Sequence, residues 1–113
     1  MLQSIRDGDR LIVRIDGELD HFCAQSVRRD LDALLLDRSV RTLILDFSSL
    51  TFMDSSGIGF LVACNTRLQA SGRILALLNP SPQVRKTLAL VQLMEFFKVA
   101  ESEDELESLL PGS

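Results

Sequence analysis

The sequence predicts an α/β fold: a single domain over residues 1–113, with an N-terminal hairpin leading into a mostly parallel four- to five-stranded sheet with about four helices. Three observations carry this reading. A length of 113 residues is near the commonest size for one compact domain. A composition of 46% hydrophobic and 25% charged residues suits a globular chain with a core and argues against disorder or low complexity. After the hairpin, short aliphatic runs without helical period alternate with segments whose apolar residues recur every three or four positions, the order of strands and crossover helices in one layered sheet.

The elements follow in chain order. Leu2 to Arg6 and Leu11 to Ile15 flank the turn residues Asp7-Gly8-Asp9, which reads as a hairpin. Beyond Gly17-Glu18-Leu19-Asp20, the residues Ala24, Val27, Leu31, Leu34 and Leu35 fall at helical steps with charged residues between them, an amphipathic helix. Val40 to Phe47 and Arg73 to Leu78 are short aliphatic runs bounded by polar signals, the mark of buried parallel strands. Between them Asp54-Ser55-Ser56-Gly57 opens an apolar segment that runs through Leu68 and stops at Ser71-Gly72, giving a strand-helix-strand crossover. Ser81-Pro82 places a capping residue before a proline at the first helical position, with Val84, Leu88 and Val91 on one face. Phe96 to Val99 reads as a short closing strand. Ser102-Glu103-Asp104-Glu105 is a capping box that starts a last helix carrying Leu106, Leu109 and Leu110, and Pro111-Gly112 ends it.

Several function classes are disfavoured at this point. No apolar run nears the ~18 residues of a membrane span, so membrane insertion is not expected. The first ten residues carry Arg6, Asp7, Asp9 and Arg10 and no secretory pattern, which predicts a cytoplasmic protein. Cys23 and Cys64 lack CxxC spacing and are expected to be buried reduced thiols, with no metal and no cofactor. The net charge of −4 is concentrated in Glu101, Glu103, Asp104, Glu105 and Glu107, which suggests a solvated last helix covering the sheet. The remaining body is nearly neutral, without Trp, Tyr or a basic cluster, and offers no footprint for nucleic acid.

The informative segment is Leu45 to Gly59, LDFSSLTFMDSSGIG. A strand end meets a helix start here, the place where α/β folds put working surfaces. Asp54, Ser55 and Ser56 could all be caps, but one helix start needs only one. Gly57 and Gly59 in the first turns cost up to ~1 kcal/mol each relative to alanine, which suggests a flat surface that something approaches. Gly57-Ile58-Gly59 has no third glycine to make a nucleotide loop. A hydrolase built on Ser55 and the lone histidine, His21, with Asp20 as the orienting group, would need those side chains to meet; a surface cap cluster explains the same residues.

The segment LILDFSSLTFMDSSGIGFLV, with GELDHF at Gly17 to Phe22 upstream and RILALLNPSPQVRKTLALVQLMEFFKV downstream, resembles the STAS domain of bacterial anti-sigma-factor antagonists from about Leu11 to Leu110. The resemblance implies phosphorylation of the first serine of the D-S-S-G run, Ser55, with Ser56 as the alternative acceptor. It implies a partner-binding surface of Asp20, His21, Asp54, Ser55, Ser56, Gly57, Ile58 and Gly59, with Asp20 and His21 in a turn after the second predicted strand. The implied partners are a serine kinase that is itself the anti-sigma factor, bound by the unphosphorylated form, and a metal-dependent serine phosphatase that restores it. The protein itself would not be an enzyme. An alternative keeps the same switch and directs it at a non-sigma target, in secretion, biofilm formation or a transport complex.

Overall fold

A computed structural model describes residues 2–111. The chain runs β1 (Leu2–Asp7), β2 (Arg10–Ile15), β3 (Gly17–Leu19), α1 (His21–Leu34), β4 (Thr42–Asp46), β5 (Leu50–Met53), α2 (Ser55–Ala70), β6 (Ile74–Leu78), α3 (Pro82–Leu90), β7 (Lys98–Ala100) and α4 (Glu103–Leu109). The main sheet has the order β1-β2-β4-β6-β7. Only β1, hairpinned to β2, is antiparallel; β2, β4, β6 and β7 run parallel. None of the described helices is long and apolar enough to cross a membrane.

The aliphatic runs are explained by burial on both faces of the sheet. Side chains alternate along a strand, so Leu11, Val13, Ile15, Leu43, Leu45, Leu75 and Leu77 enter one core with α1, α2 and α3. Their neighbours Ile12, Ile44, Ile74, Ala76 and Leu78 face the other way, where Leu106 and Leu110 cover them. Each fully buried leucine contributes roughly 1.5–3 kcal/mol, so the larger first cluster dominates stability and α4 is the lighter attachment. The acidic last helix is thus a cover on the sheet, tied by an Arg10–Glu107 ion pair at 2.5 Å, while Ser102 accepts from the Glu105 N–H at 3.2 Å as its cap.

Helix ends follow local chemistry. α2 stops where Gly72 takes φ +73°; the Arg73 N–H then donates to the Leu68 carbonyl at 2.7 Å and the Gly72 N–H to Gln69 at 3.0 Å, closing the last turn. Ser81 precedes α3 as expected but does not cap it with its side chain. Its hydroxyl instead donates to the Leu50 carbonyl at 2.6 Å.

Other expectations need adjustment. Val91 lies past the end of α3 and Leu109 points outward; both are exposed, because the helical face they were assigned to ends one turn earlier. The closing strand is shifted to Lys98–Ala100, leaving Phe96 exposed and Phe97 buried beside it. Cys64 is buried, but Cys23 is only half-buried. Gly112, read as part of the last helix stop, lies outside the described residues. The largest omission is a second, two-stranded sheet of β3 and β5, and it sets up the site.

Candidate functional site

β3 and β5 pair in parallel, with Leu19 opposite Met53. Each strand is followed at once by an aspartate and then a helix. Asp20 is the extended N-cap of α1 (φ −91°, ψ −173°) and accepts from the Cys23 N–H at 2.9 Å. Asp54 is the extended N-cap of α2 (φ −106°, ψ −168°) and accepts from the N–H groups of Ser56 at 2.9 Å and Gly57 at 3.2 Å. Because the strands are in register, the two helices start side by side. Asp20 and His21 therefore lie at the opening of α1, not in a turn, which corrects the expectation for them.

α3 braces this arrangement from the far side of β5. The Gln83 Oε1 accepts from the Met53 N–H at 3.1 Å, next to the Ser81–Leu50 bond already described. These polar anchors hold a four-residue strand that lies outside the main sheet.

At the α2 start the two serines differ. Ser55 is exposed and its side chain bonds no other described residue, whereas Ser56 is half-buried and donates its N–H to the cap. Ser56 shares a shallow notch with His21, Ala24, Gln25 and Arg28 of α1, so the two helix openings form one surface. Ile58 is half-buried against the core. Gly59 is exposed with open space around it.

Gly57 has a different role from the one its sequence position suggests. It is buried, and a Cβ there would lie 2.5 Å from Met53 Cγ and 2.6 Å from the Leu19 carbonyl oxygen. The close approach is made by the ends of β3 and β5, not by an outside molecule. Of the residues grouped at this site, Asp20, His21, Asp54, Ser55, Ser56 and Gly59 reach its surface, Ile58 partly does, and Gly57 seats the helix beneath it. Sequence reasoning missed Gln25 and Arg28, which the helical period places on the His21 face, and Phe22, left 79% exposed by the start of α1.

The site's electrostatics separate capping from catalysis. The Cys23 backbone N–H holds the Asp20 carboxyl below its ordinary range. That carboxylate serves its own helix, while His21 meets Gln25 at 3.4 Å, so Asp20 does not orient the imidazole as a hydrolase would require. Burial pushes the Cys23 thiol up and Cys64 to about 11, so neither is an activated nucleophile. Among the described residues no three His, Cys, Asp or Glu side chains converge as a metal site.

The comparisons with known proteins agree with this geometry. The STAS-domain family model matches residues 2–106. An anti-sigma F factor antagonist from Lysinibacillus sphaericus is 37% identical over 78 residues, 69% of this chain and 67% of that one. One from Paenibacillus polymyxa is 31% identical over 93 residues, covering 82% and 80%. The solved structure of the anti-sigma factor antagonist SpoIIAA in its unphosphorylated form superposes with a TM-score of 0.79 at 31% identity, over 96% of each chain. The phosphorylated form of the Bacillus cell fate determinant SpoIIAA gives 0.73 at 30% identity, over 97% of this chain and 100% of that one. With the family model spanning almost every described residue and relatives of one kind covering most of their own length, the chain belongs to the STAS-domain family, among the anti-sigma factor antagonists.

Proposed function

We propose that this chain is a phosphorylation-controlled binding protein. Its unmodified form captures a serine kinase that is also an anti-sigma factor and thereby frees a sigma factor. Phosphorylation of Ser55 by that kinase, with ATP as donor, releases the partner, and a metal-dependent serine phosphatase restores the hydroxyl. The protein carries out no catalysis itself and acts in the cytoplasm, where its ATP-using partner works.

The observation that carries this reading is the exposed, unbonded Ser55 hydroxyl on a helix start whose cap is already supplied by Asp54. A phosphate adds about −1.5 to −2 charge. At a helix N-terminus the macrodipole and the free N–H groups favour an anion, so the fold tolerates it. The same charge beside Asp54 opposes any partner that must dry this surface; a loss of about 2.7 kcal/mol is a hundredfold in affinity. That SpoIIAA keeps a fold similar to this one in both phosphorylation states supports a switch acting at the surface.

Ser55 is the acceptor on this reading because Ser56 is half-buried toward α1. Incubation with ATP and the cognate kinase should add one phosphate to the wild type and none to Ser55→Ala, and Ser55→Glu should bind the kinase at least tenfold more weakly. A phosphate found on Ser56 would move the site by one residue. A singly modified Ser55→Ala chain, with the phosphate on neither serine, would remove the proposal.

A further inference from the structure

A second candidate site lies farther along α2. Asn65 is only 5% exposed, in the interior of a helix packed on the main core. Its amide hydrogen-bonds no other described side chain, yet it is not sealed in apolar surroundings: it lines a cavity of about 180 Å³ between the second half of α2 and the starts of β6 and β7. A buried amide left unpaired costs ~1–3 kcal/mol, and a leucine of similar volume would avoid that cost. An asparagine at this position therefore points to something polar bound against it.

The rest of the lining narrows the chemistry. Gln69, one turn on from Asn65, brings a second amide to the same space. Arg73 and Lys98 face it against a single carboxylate, Glu95, so the charge balance favours an anion. Arg73 is already held by the Ser71 hydroxyl at 2.9 Å and the Leu35 carbonyl at 3.1 Å, whereas Lys98 forms no ion pair among the described residues. Leu75 and Phe97 form an apolar floor. Phe96, 48% exposed at the rim, stands edge-on to Phe97 with ring centroids 4.9 Å apart, which leaves its face open for stacking.

We propose that this cavity binds a small planar carboxylate bearing a hydrogen-bond donor beside the carboxyl group. The carboxylate accepts from the Asn65 Nδ2 and pairs with Lys98, the neighbouring donor serves the Asn65 Oδ1, and the flat body lies between Phe96 and Leu75. The volume is below the roughly 300 Å³ of drug-sized pockets, which limits the ligand to about one ring. The site is independent of the phosphorylation switch, since Asn65 lies ten residues beyond Ser55, a rise of about 15 Å along the helix.

The test is a titration of isotopically labelled full-length chain with 2-hydroxybenzoate, followed by NMR. The Asn65 side-chain amide and the Lys98 backbone amide should shift saturably. The apparent Kd should rise at least tenfold in both Asn65→Leu and Lys98→Gln, and benzoate, lacking the donor, should bind several-fold more weakly. Lys98 is exposed, so its variant keeps the fold even if Asn65→Leu disturbs it. No saturable shift at the cavity, unchanged binding in Lys98→Gln, or inorganic phosphate binding as tightly as the probe would each overturn the proposal.

Discussion

The openings of α1 and α2 are built alike and used differently. Both follow a strand of the β3–β5 pair, both begin with an extended aspartate cap, and both caps accept from backbone N–H groups two or three residues on. After the cap they diverge. α1 continues with His21 and an exposed Phe22, while α2 continues with two hydroxyls and two glycines. The shared part is architecture, since each aspartate satisfies donors that any helix start leaves free. The residues after the cap set what each opening offers, and only α2 offers an unbonded hydroxyl at its first position.

The sharpest way to break the comparison is at Gly57, which has no counterpart in α1. A methyl group there meets the Leu19 carbonyl, a backbone atom that cannot swing aside, as well as Met53. Gly57→Ala should destabilise the fold by about 3 kcal/mol, at the upper end of overpacking costs, measured by urea denaturation. If the loss were below about 1 kcal/mol, the packing of β3 and β5 against α2 would be looser than described.

Removing the cap itself tests what the two openings share. Asp54→Ala leaves the N–H groups of Ser56 and Gly57 without their acceptor and should cost about 1 kcal/mol. Gly59→Ala should act in the opposite direction. Nothing lies within 4 Å of its Cβ position, so the gain in helix propensity, up to ~1 kcal/mol, comes without a clash. Opposite signs at Gly57 and Gly59, two residues apart, would show that one glycine fits the core and the other only clears the surface.

These contrasts also mark where the sequence was readable. The helices declared themselves through apolar spacing, and the Asp54–Gly59 cluster through an excess of capping and small residues over what one helix start needs. β3 and β5 did not, because strands of three and four residues with only Leu19, Leu50 and Met53 buried are too short to show alternation. Without that pair, nothing in the sequence sets Asp20 beside Asp54. Gly57 was misjudged for the same reason: the atom it must clear belongs to Leu19, far away along the chain, and such a contact leaves no local signal. Asn65 was hidden among the apolar residues of α2, where a single polar residue looks like the solvent face until burial is known.

The smallest effect concerns how acid separates native from unfolded at the α1 opening. The Asp20 carboxyl is held below its ordinary value, chiefly by the hydrogen bond from the Cys23 backbone N–H. A group whose folded pKa is depressed stabilises the fold above its unfolded pKa, near 3.9 for an aspartate, and loses that contribution as pH falls through the lower folded value. The stability difference between the wild type and Asp20→Ala should therefore be constant from neutral pH down to about pH 5. Below that it should shrink as acid protonates the cap. Because Asp20 is fully open to solvent, screening keeps the effect small, and added salt should reduce it further. Urea midpoints measured for both chains between pH 7 and pH 3 would reveal it. A difference that instead grew with acid would mean that protonated Asp20 is the better cap, and the hydrogen bond assigned to its carboxylate would have to be abandoned.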